Sequence, residues 1–191
     1  MSFVTSAIRQ HWFSTALLAI SAALLFQNIS LARANGDIRT RFDRVMKQHV
    51  EVGDHIGDIR GTTLGGQQLT ESALRTPRSL IISMSVNCSV CAVNMSAWRR
   101  LASKARATGR VHVMWVSRDT TSETRAFLQR EPIEDGLIAD PTYVTHLQLK
   151  LSVVPQTIVT DANGLVVAAL VGAVDSTAET AVARTFDSAQ R

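Results

Sequence analysis

The only two cysteines of the chain stand three residues apart, as Cys88-Ser89-Val90-Cys91, where one hydrophobic pattern gives way to another. Before them, Leu80-Ile81-Ile82-Ser83-Met84 is a compact apolar run of the kind a buried central strand shows. After them, Met95, Trp98, Leu101, Ala102 and Ala105 recur at three- and four-residue steps. Arg99, Arg100, Lys104 and Arg106 take the other face, and Gly109 ends the pattern. The segment is therefore expected to be a strand running into an amphipathic helix, with both sulfurs at the helix start. A single local pair also excludes a multi-disulfide scaffold and a four-cysteine zinc site.

That position favours redox chemistry. Disulfide exchange needs a thiolate, and a free cysteine with a pKa of about 8.5 is mostly protonated at neutral pH. At a helix N-terminus, unpaired backbone N–H groups and the positive end of the helix dipole stabilise the anion. Cys88 is placed to attack, and Cys91, at i+3, to resolve the resulting mixed disulfide. The competing readings are two inert buried cysteines, a staple across one turn, or a metal site. A staple closing so short a loop removes little unfolded-state entropy. A metal would need further soft or imidazole ligands. His112 lies in a strand pattern and His146 in a helix pattern, where each is more simply a satisfied or half-exposed histidine. No metal or cofactor is expected.

The rest of the chain alternates strands and helices. Gly65-Gly66 between Thr62-Thr63-Leu64 and Gln67-Gln68-Leu69-Thr70 suggests a two-residue hairpin. Residues 111–117 read as a second buried strand and Thr121 to Arg130 as a helix. Asp140-Pro141 resembles an N-cap and first helical residue, opening a helix through Tyr143, Val144 and Leu147. Thr157 to Thr160 and Leu165 to Val171 flank Asn163-Gly164, a strong hairpin signal. Ser176 to Gln190 closes the chain as a helix. Strands separated by helices imply a parallel core, and the closing hairpin adds an antiparallel edge. The fold class is α/β, a central mixed sheet flanked by helices.

The N-terminus has a separate character. From Gln10 to Ala32 no charged residue occurs, and Trp12 to Phe26 is mainly apolar. We expect residues 1–34 to be a signal peptide or signal anchor, 35–51 a helical lead-in, and 52–191 the folded domain. Ala32-Arg33-Ala34 fits a small-x-small cleavage site, yet the uncharged stretch is also long enough to span a bilayer. Arg33, Arg39, Arg41, Arg44 and Lys47 follow it while Arg9 alone precedes it, the reverse of the positive-inside bias. The segment's early position and length still favour an exported, periplasmic protein, soluble or anchored. Export would place the cysteine pair in an oxidising compartment. The formal charge of +4 comes with no basic stripe interleaved with aromatics, so no nucleic-acid partner is expected.

From Val52 to Val174 the chain resembles the TlpA/ResA-like (redoxin) branch of the thioredoxin superfamily, exported or membrane-anchored thiol-disulfide oxidoreductases. The resemblance rests on Val52-Gly53-Asp54, Gly65-Gly66, the strand before the cysteine pair, Asp140-Pro141, and Val153-Val154-Pro155-Gln156-Thr157 leading into Asp161-Ala162-Asn163-Gly164. It implies a thioredoxin-like fold, with a cis proline at Pro155 facing the disulfide and Val154 offering backbone groups to a bound substrate strand. It also implies a cysteine-containing exported client and an upstream thiol electron donor as partners, for example in cytochrome c or metalloprotein maturation. The pattern departs at Asn87, where relatives carry tryptophan, and at Asn94, where they carry glutamate. Asparagine cannot take the proton of the buried thiol. That absence motivates an alternative, a non-enzymatic metallochaperone or assembly factor on the same scaffold. A thiol peroxidase would need a cysteine in a Pro- and Thr-rich loop, a setting neither cysteine has.

Overall fold

The computed structural model describes residues 3–46, 49–57, 59, 61–69 and 76–187. The chain divides into two compact units, Met1–Lys47 and Gln48–Arg191.

The first unit is one helix, α1 (Phe3–Met46). The apolar stretch and the expected lead-in helix are thus continuous, because nothing between Ala32 and Asp37 breaks the helix: Gly36 lowers propensity without removing a backbone donor. The described side chains, residues 15–36, are exposed throughout, Phe26 and Leu18 at 74% and 70% among them. Residues Thr15–Gly36 are long and apolar enough to cross a membrane.

The second unit is built on a five-stranded sheet. Its elements are β1 (Gly61–Thr62), β2 (Gln68–Leu69), β3 (Arg78–Met84), α2 (Ser89–Ala107), β4 (Val111–Ser117), α3 (Thr121–Arg130), β5 (Gly136–Ala139), α4 (Val144–Gln148), β6 (Gln156–Asp161), β7 (Val166–Val171) and α5 (Ser176–Asp187). The strand order is β5-β4-β3-β6-β7. β3, β4 and β5 run parallel, whereas β6 pairs antiparallel with β3 and β7 with β6. β1 and β2 form a separate hairpin.

Side-chain alternation splits the core. On one face Leu80, Ile82 and Met84 of β3 meet Met95, Trp98, Leu101 and Ala105 of α2 and Val182 and Phe186 of α5. Each fully buried large side chain of this kind contributes roughly 1.5–3 kcal/mol. Trp98 packs edge-on against Trp115, centroids 5.8 Å apart, and donates its indole N–H to Thr157 Oγ1 at 2.8 Å. Glu179 of α5 accepts from Arg100 and Lys104 of α2, tying the two helices together. On the other face Ile81, Met114, Val116 and Ile158 meet Val50, Ile56, Ile59, Leu149 and Leu151.

Two expectations are corrected, the hairpin turn length and the helix start at Asp140-Pro141, and one strand is added to them. The β1–β2 connection spans residues 63–67, with Thr63 capping it through bonds to Gln67 and from Gly66, so it is longer than the two-residue turn read from Gly65-Gly66. The short strand β5 lies in Gly136-Leu137-Ile138-Ala139, too brief for an alternating pattern to declare itself. Asp140 and Pro141 do not open a helix: Asp140 instead accepts from the His146 backbone N–H at 2.8 Å, and α4 begins only after Tyr143, whose φ is +61°. The closing helix ends at Asp187, and its expected last residues, 188–190, lie outside those described. The Asn163-Gly164 turn forms as expected, with Asp161 Oδ1 accepting from the N–H groups of Asn163 and Leu165. Gly164 is required there: at φ +78°, a Cβ would lie 2.8 Å from the Ile56 carbonyl.

Candidate active site

β3 delivers the chain to the carboxyl end of the sheet, and residues 85–88 turn it into α2. Cys88 is the N-cap, in extended conformation, with its Sγ accepting from the Cys91 N–H at 3.1 Å. The two cysteines are disulfide-bonded, Cα atoms 5.2 Å apart. Cys88 is half-buried and Cys91 is 2% exposed. One sulfur is thus reachable from solvent, while the other sits one turn deeper against the core. A helix N-terminus is a place where a thiolate is favoured, and a backbone N–H of its first turn already meets the Cys88 sulfur.

The turn before Cys88 is held from beneath by Asp119, which follows β4. Its carboxylate accepts from Ser85 Oγ at 2.9 Å, from the Val86 N–H at 2.7 Å and from Ser117 Oγ at 2.7 Å. The turn's own Cys88 N–H donates to the Ser85 carbonyl at 3.2 Å. Nothing in the linear pattern singled out Asp119; the available signal was a Ser-x-Asp immediately after a buried strand.

Asn94, on the first turns of α2, is 1% exposed and fully paired. Its Nδ2–H donates to the Gly172 carbonyl at 2.8 Å, and its Oδ1 accepts from the Val174 N–H at 2.9 Å. The Gly172 N–H in turn donates to the Pro155 carbonyl at 3.0 Å. The residue that replaces the family's carboxylate is therefore a bracket running from the cysteine helix through the β7–α5 loop to Pro155.

The Val154-Pro155 peptide bond is cis. Pro155 immediately precedes β6, whose first residue, Gln156, pairs with Ser83 of β3. The proline and the β3–α2 turn that carries Cys88 thus lie at the same end of adjacent strands. Val154 is half-buried and, like Cys88, packs against the core cluster that holds Cys91.

His146, which the sequence left as a satisfied or half-exposed histidine, is buried and satisfied. Its Nδ1 meets Asp140 Oδ2 at 2.7 Å and its Nε2 meets Ser83 Oγ at 3.3 Å. Burial first of all lowers its pKa; the Asp140 hydrogen bond and charge oppose this, and the Arg118 charge adds to the lowering. Ser, His and Asp here are the residue types of a hydrolytic triad, but Ser83 has no exposed surface and cannot meet a substrate. His112 is half-buried, and burial lowers its pKa against the attraction of Asp135. Among the described residues, no group of three or more His, Cys, Asp and Glu side chains is arranged to hold a metal ion. A cleft of about 640 Å³ between the β1–β2 turn, α3 and β5, lined by residues such as Thr63, Gln67 and Arg125, shares no residue with the cysteine site. Exchange with a protein disulfide takes place at an accessible sulfur and needs no enclosed pocket.

A family model, AhpC/TSA, matches residues 52–169, more than half of the chain. The chain belongs to the AhpC/TSA family. Among solved structures, this AhpC/TSA chain is similar to a Chlorobium tepidum protein provisionally assigned as the thiol:disulfide interchange protein DsbE, with 21% identity, 73% of this chain and 98% of the other covered, and a TM-score of 0.64. A secreted thiol-disulfide isomerase from Corynebacterium glutamicum gives 22% identity, coverage of 72% and 89%, and a TM-score of 0.61. The peroxidoxin BcpB from Mycobacterium tuberculosis gives 19% identity, coverage of 75% and 99%, and a TM-score of 0.60. Comparison with curated proteins gives no match. The redoxin membership and thioredoxin-like fold expected from Val52 to Val174 are thereby borne out.

Proposed function

We propose that this protein is a thiol-disulfide oxidoreductase that reduces or isomerises disulfides of exported proteins through a mixed disulfide on Cys88. The observation that carries the reading is the unequal pair: a half-buried Cys88 capping α2, bonded to a buried Cys91. In the reducing direction the Cys88 thiolate attacks one sulfur of the client disulfide. The client's S–S bond breaks, one client thiolate leaves, and a Cys88–client S–S bond forms. The Cys91 thiolate then attacks Cys88 Sγ, releasing the second client thiolate and leaving the Cys88–Cys91 disulfide. The client gains two electrons, and an upstream thiol donor returns the pair to the dithiol. Val154 and Pro155, at the same end of the sheet, are the platform along which the client strand lies. Cytochrome c or metalloprotein maturation in the periplasm is the setting this reading favours. There the apolar helix Thr15–Gly36 would serve as signal or anchor, with the membrane a partner if it is retained.

The test is trapping. A Cys91→Ser variant is expected to accumulate mixed disulfides between Cys88 and clients in intact cells, and a Cys88→Ser variant is not; recovering no Cys88 adducts would overturn the proposal. The likeness to peroxidoxin BcpB favours one competing reading, peroxide reduction. Peroxide consumption that needs Cys88, with no exchange on protein disulfides, would establish that reading instead. The metallochaperone alternative drew its motive from the absent carboxylate, and the bracket made by Asn94 accounts for that residue without a metal. Cu(I) bound through dialysis and lost in Cys88→Ser would restore it.

A further inference from the structure

Arg118 stands directly after β4, and its backbone N–H donates to the carbonyl of Met84, the last residue of β3. It is therefore at the same end of the sheet as the turn carrying Cys88. Its guanidinium lies over the ring of Tyr143, 5.0 Å from the centroid, and its Nη2 is 3.5 Å from the Ser152 carbonyl, three residues before the cis proline. The side chain so reaches from one flank of β3 to the loop on the other.

What distinguishes this arginine is a buried donor nitrogen left without a partner. Arg99, Arg100 and Arg106 each meet a carboxylate. Among the described residues none pairs with Arg118, and its Nε is buried without a hydrogen-bond partner, as is Ser152 Oγ beside it. The neighbouring acids are committed elsewhere: Asp119 to Ser85, Val86 and Ser117, and Asp140 to His146. Its field reaches His146, where it opposes protonation in the same sense as burial does. A guanidinium donor withheld from water without an acceptor is costly to the fold, and a side chain held at that cost is held for its position. The Tyr143 ring beneath it is 44% exposed, Val144, next in sequence, 53%, and Val90, between the two cysteines, 40%.

We infer that Arg118 is a specificity-determining residue that binds the carboxylate of an aspartate or glutamate near the reactive cysteine of the client. This inference rests on the proposed exchange with protein disulfides. The guanidinium, already oriented by the Tyr143 ring and the Ser152 carbonyl, offers a terminal nitrogen to the carboxylate. The exposed apolar side chains bear on the client residues around it. The selected client is thus a segment with acid and apolar residues flanking cysteine, and a lysine in the same place is rejected by like charge.

The test uses the reduced full chain and a set of disulfide-bonded peptide pairs that differ only in Asp, Asn or Lys placed at each position flanking the cysteine in turn. At the best position, kcat/KM is expected to be roughly tenfold higher for Asp than for Asn, the scale of one hydrogen-bonded charge, and lowest for Lys. Arg118→Met should abolish the Asp-to-Asn ratio, and Arg118→Glu should invert the order so that Lys is preferred, a gain that misfolding cannot produce. The midpoint potential of Cys88/Cys91 serves as the control, because selectivity acting through binding leaves it in place. Equal rates on all peptides by the wild-type protein would overturn this inference while leaving the exchange proposal standing. No reaction with any peptide would instead strike the exchange proposal. Flat peptide rates, combined with a loss of glutathione disulfide reduction in Arg118→Met, would overturn the assignment to a protein client in favour of a small acidic thiol.

Discussion

Asn94 offers the sharpest test of how this site is held. In Asn94→Ala both partners of the side chain lose their bonds: the Gly172 carbonyl, reached at 2.8 Å, and the Val174 N–H, at 2.9 Å. Both lie in a partly buried loop, so each stranded group costs near the low end of the usual 1–3 kcal/mol, about 2 kcal/mol together. With a urea m-value of about 2 kcal/mol/M, the unfolding midpoint should fall by about 1 M. Asn94→Asp behaves differently. Its carboxylate keeps the Val174 bond but turns an acceptor toward the Gly172 carbonyl, at a position 1% exposed. Burial and that carbonyl both raise the folded-state pKa of the new acid above its unfolded value. A raised folded pKa means that the group's stabilising contribution is whole below the unfolded pKa and is lost as pH rises through the folded one. The protonated acid can donate to Gly172 as the amide did, so the deficit of Asn94→Asp should shrink on acidification while that of Asn94→Ala stays flat. An Ala variant within about 0.5 kcal/mol of wild type, the range of an uninvolved surface change, would refute the bracket. So would an Asp variant whose deficit does not diminish at low pH.

Two other residues give clear expectations. Asp119→Ala strips the turn before Cys88 of an acceptor for three donors and is expected to cost about 2–4 kcal/mol in urea unfolding; a loss below about 0.5 kcal/mol would count against its anchoring role. For His146, whose folded pKa is lowered chiefly by burial, the sign is set by the unfolded chain taking up protons first, so stability is present above about pH 6.5 and falls as pH drops from there through the folded pKa. His146→Asn should remove that part of the pH dependence, and a wild-type curve that rises as pH drops from 7 to 5 would contradict the direction.

Much of this architecture could be read from residue order because local and long-range signals agree there. Leu80 to Met84 is apolar on both sides and became the central strand β3, with Leu80 and Ile82 facing α2 and Ile81 the opposite layer. The i, i+3, i+4 pattern from Met95 to Ala105 became the buried face of α2, and the cysteine at its start became the N-cap. Where the reading failed, tertiary contacts overrode a local cue. Asp140-Pro141 carries the chemistry of a helix start, yet the carboxylate is used six residues on, by the backbone and ring of His146, and the helix begins only at Val144. β5 is four residues long and owes its conformation to pairing with β4.

Asn94 shows the same limit at the site itself. In the linear pattern it registers as a missing carboxylate, a loss, because a motif records which side chain is expected and not which groups the fold brings to it. Gly172 and Val174 lie 78 and 80 residues away in sequence. Only when β7 has returned beside β6, and α5 has packed onto α2, do a carbonyl and an N–H face the position together. An amide, with an NH2 that donates and an oxygen that accepts, matches that pair, and an ionised carboxylate, which only accepts, does not. At this position the amide joins the cysteine helix to the loop that is bonded to Pro155.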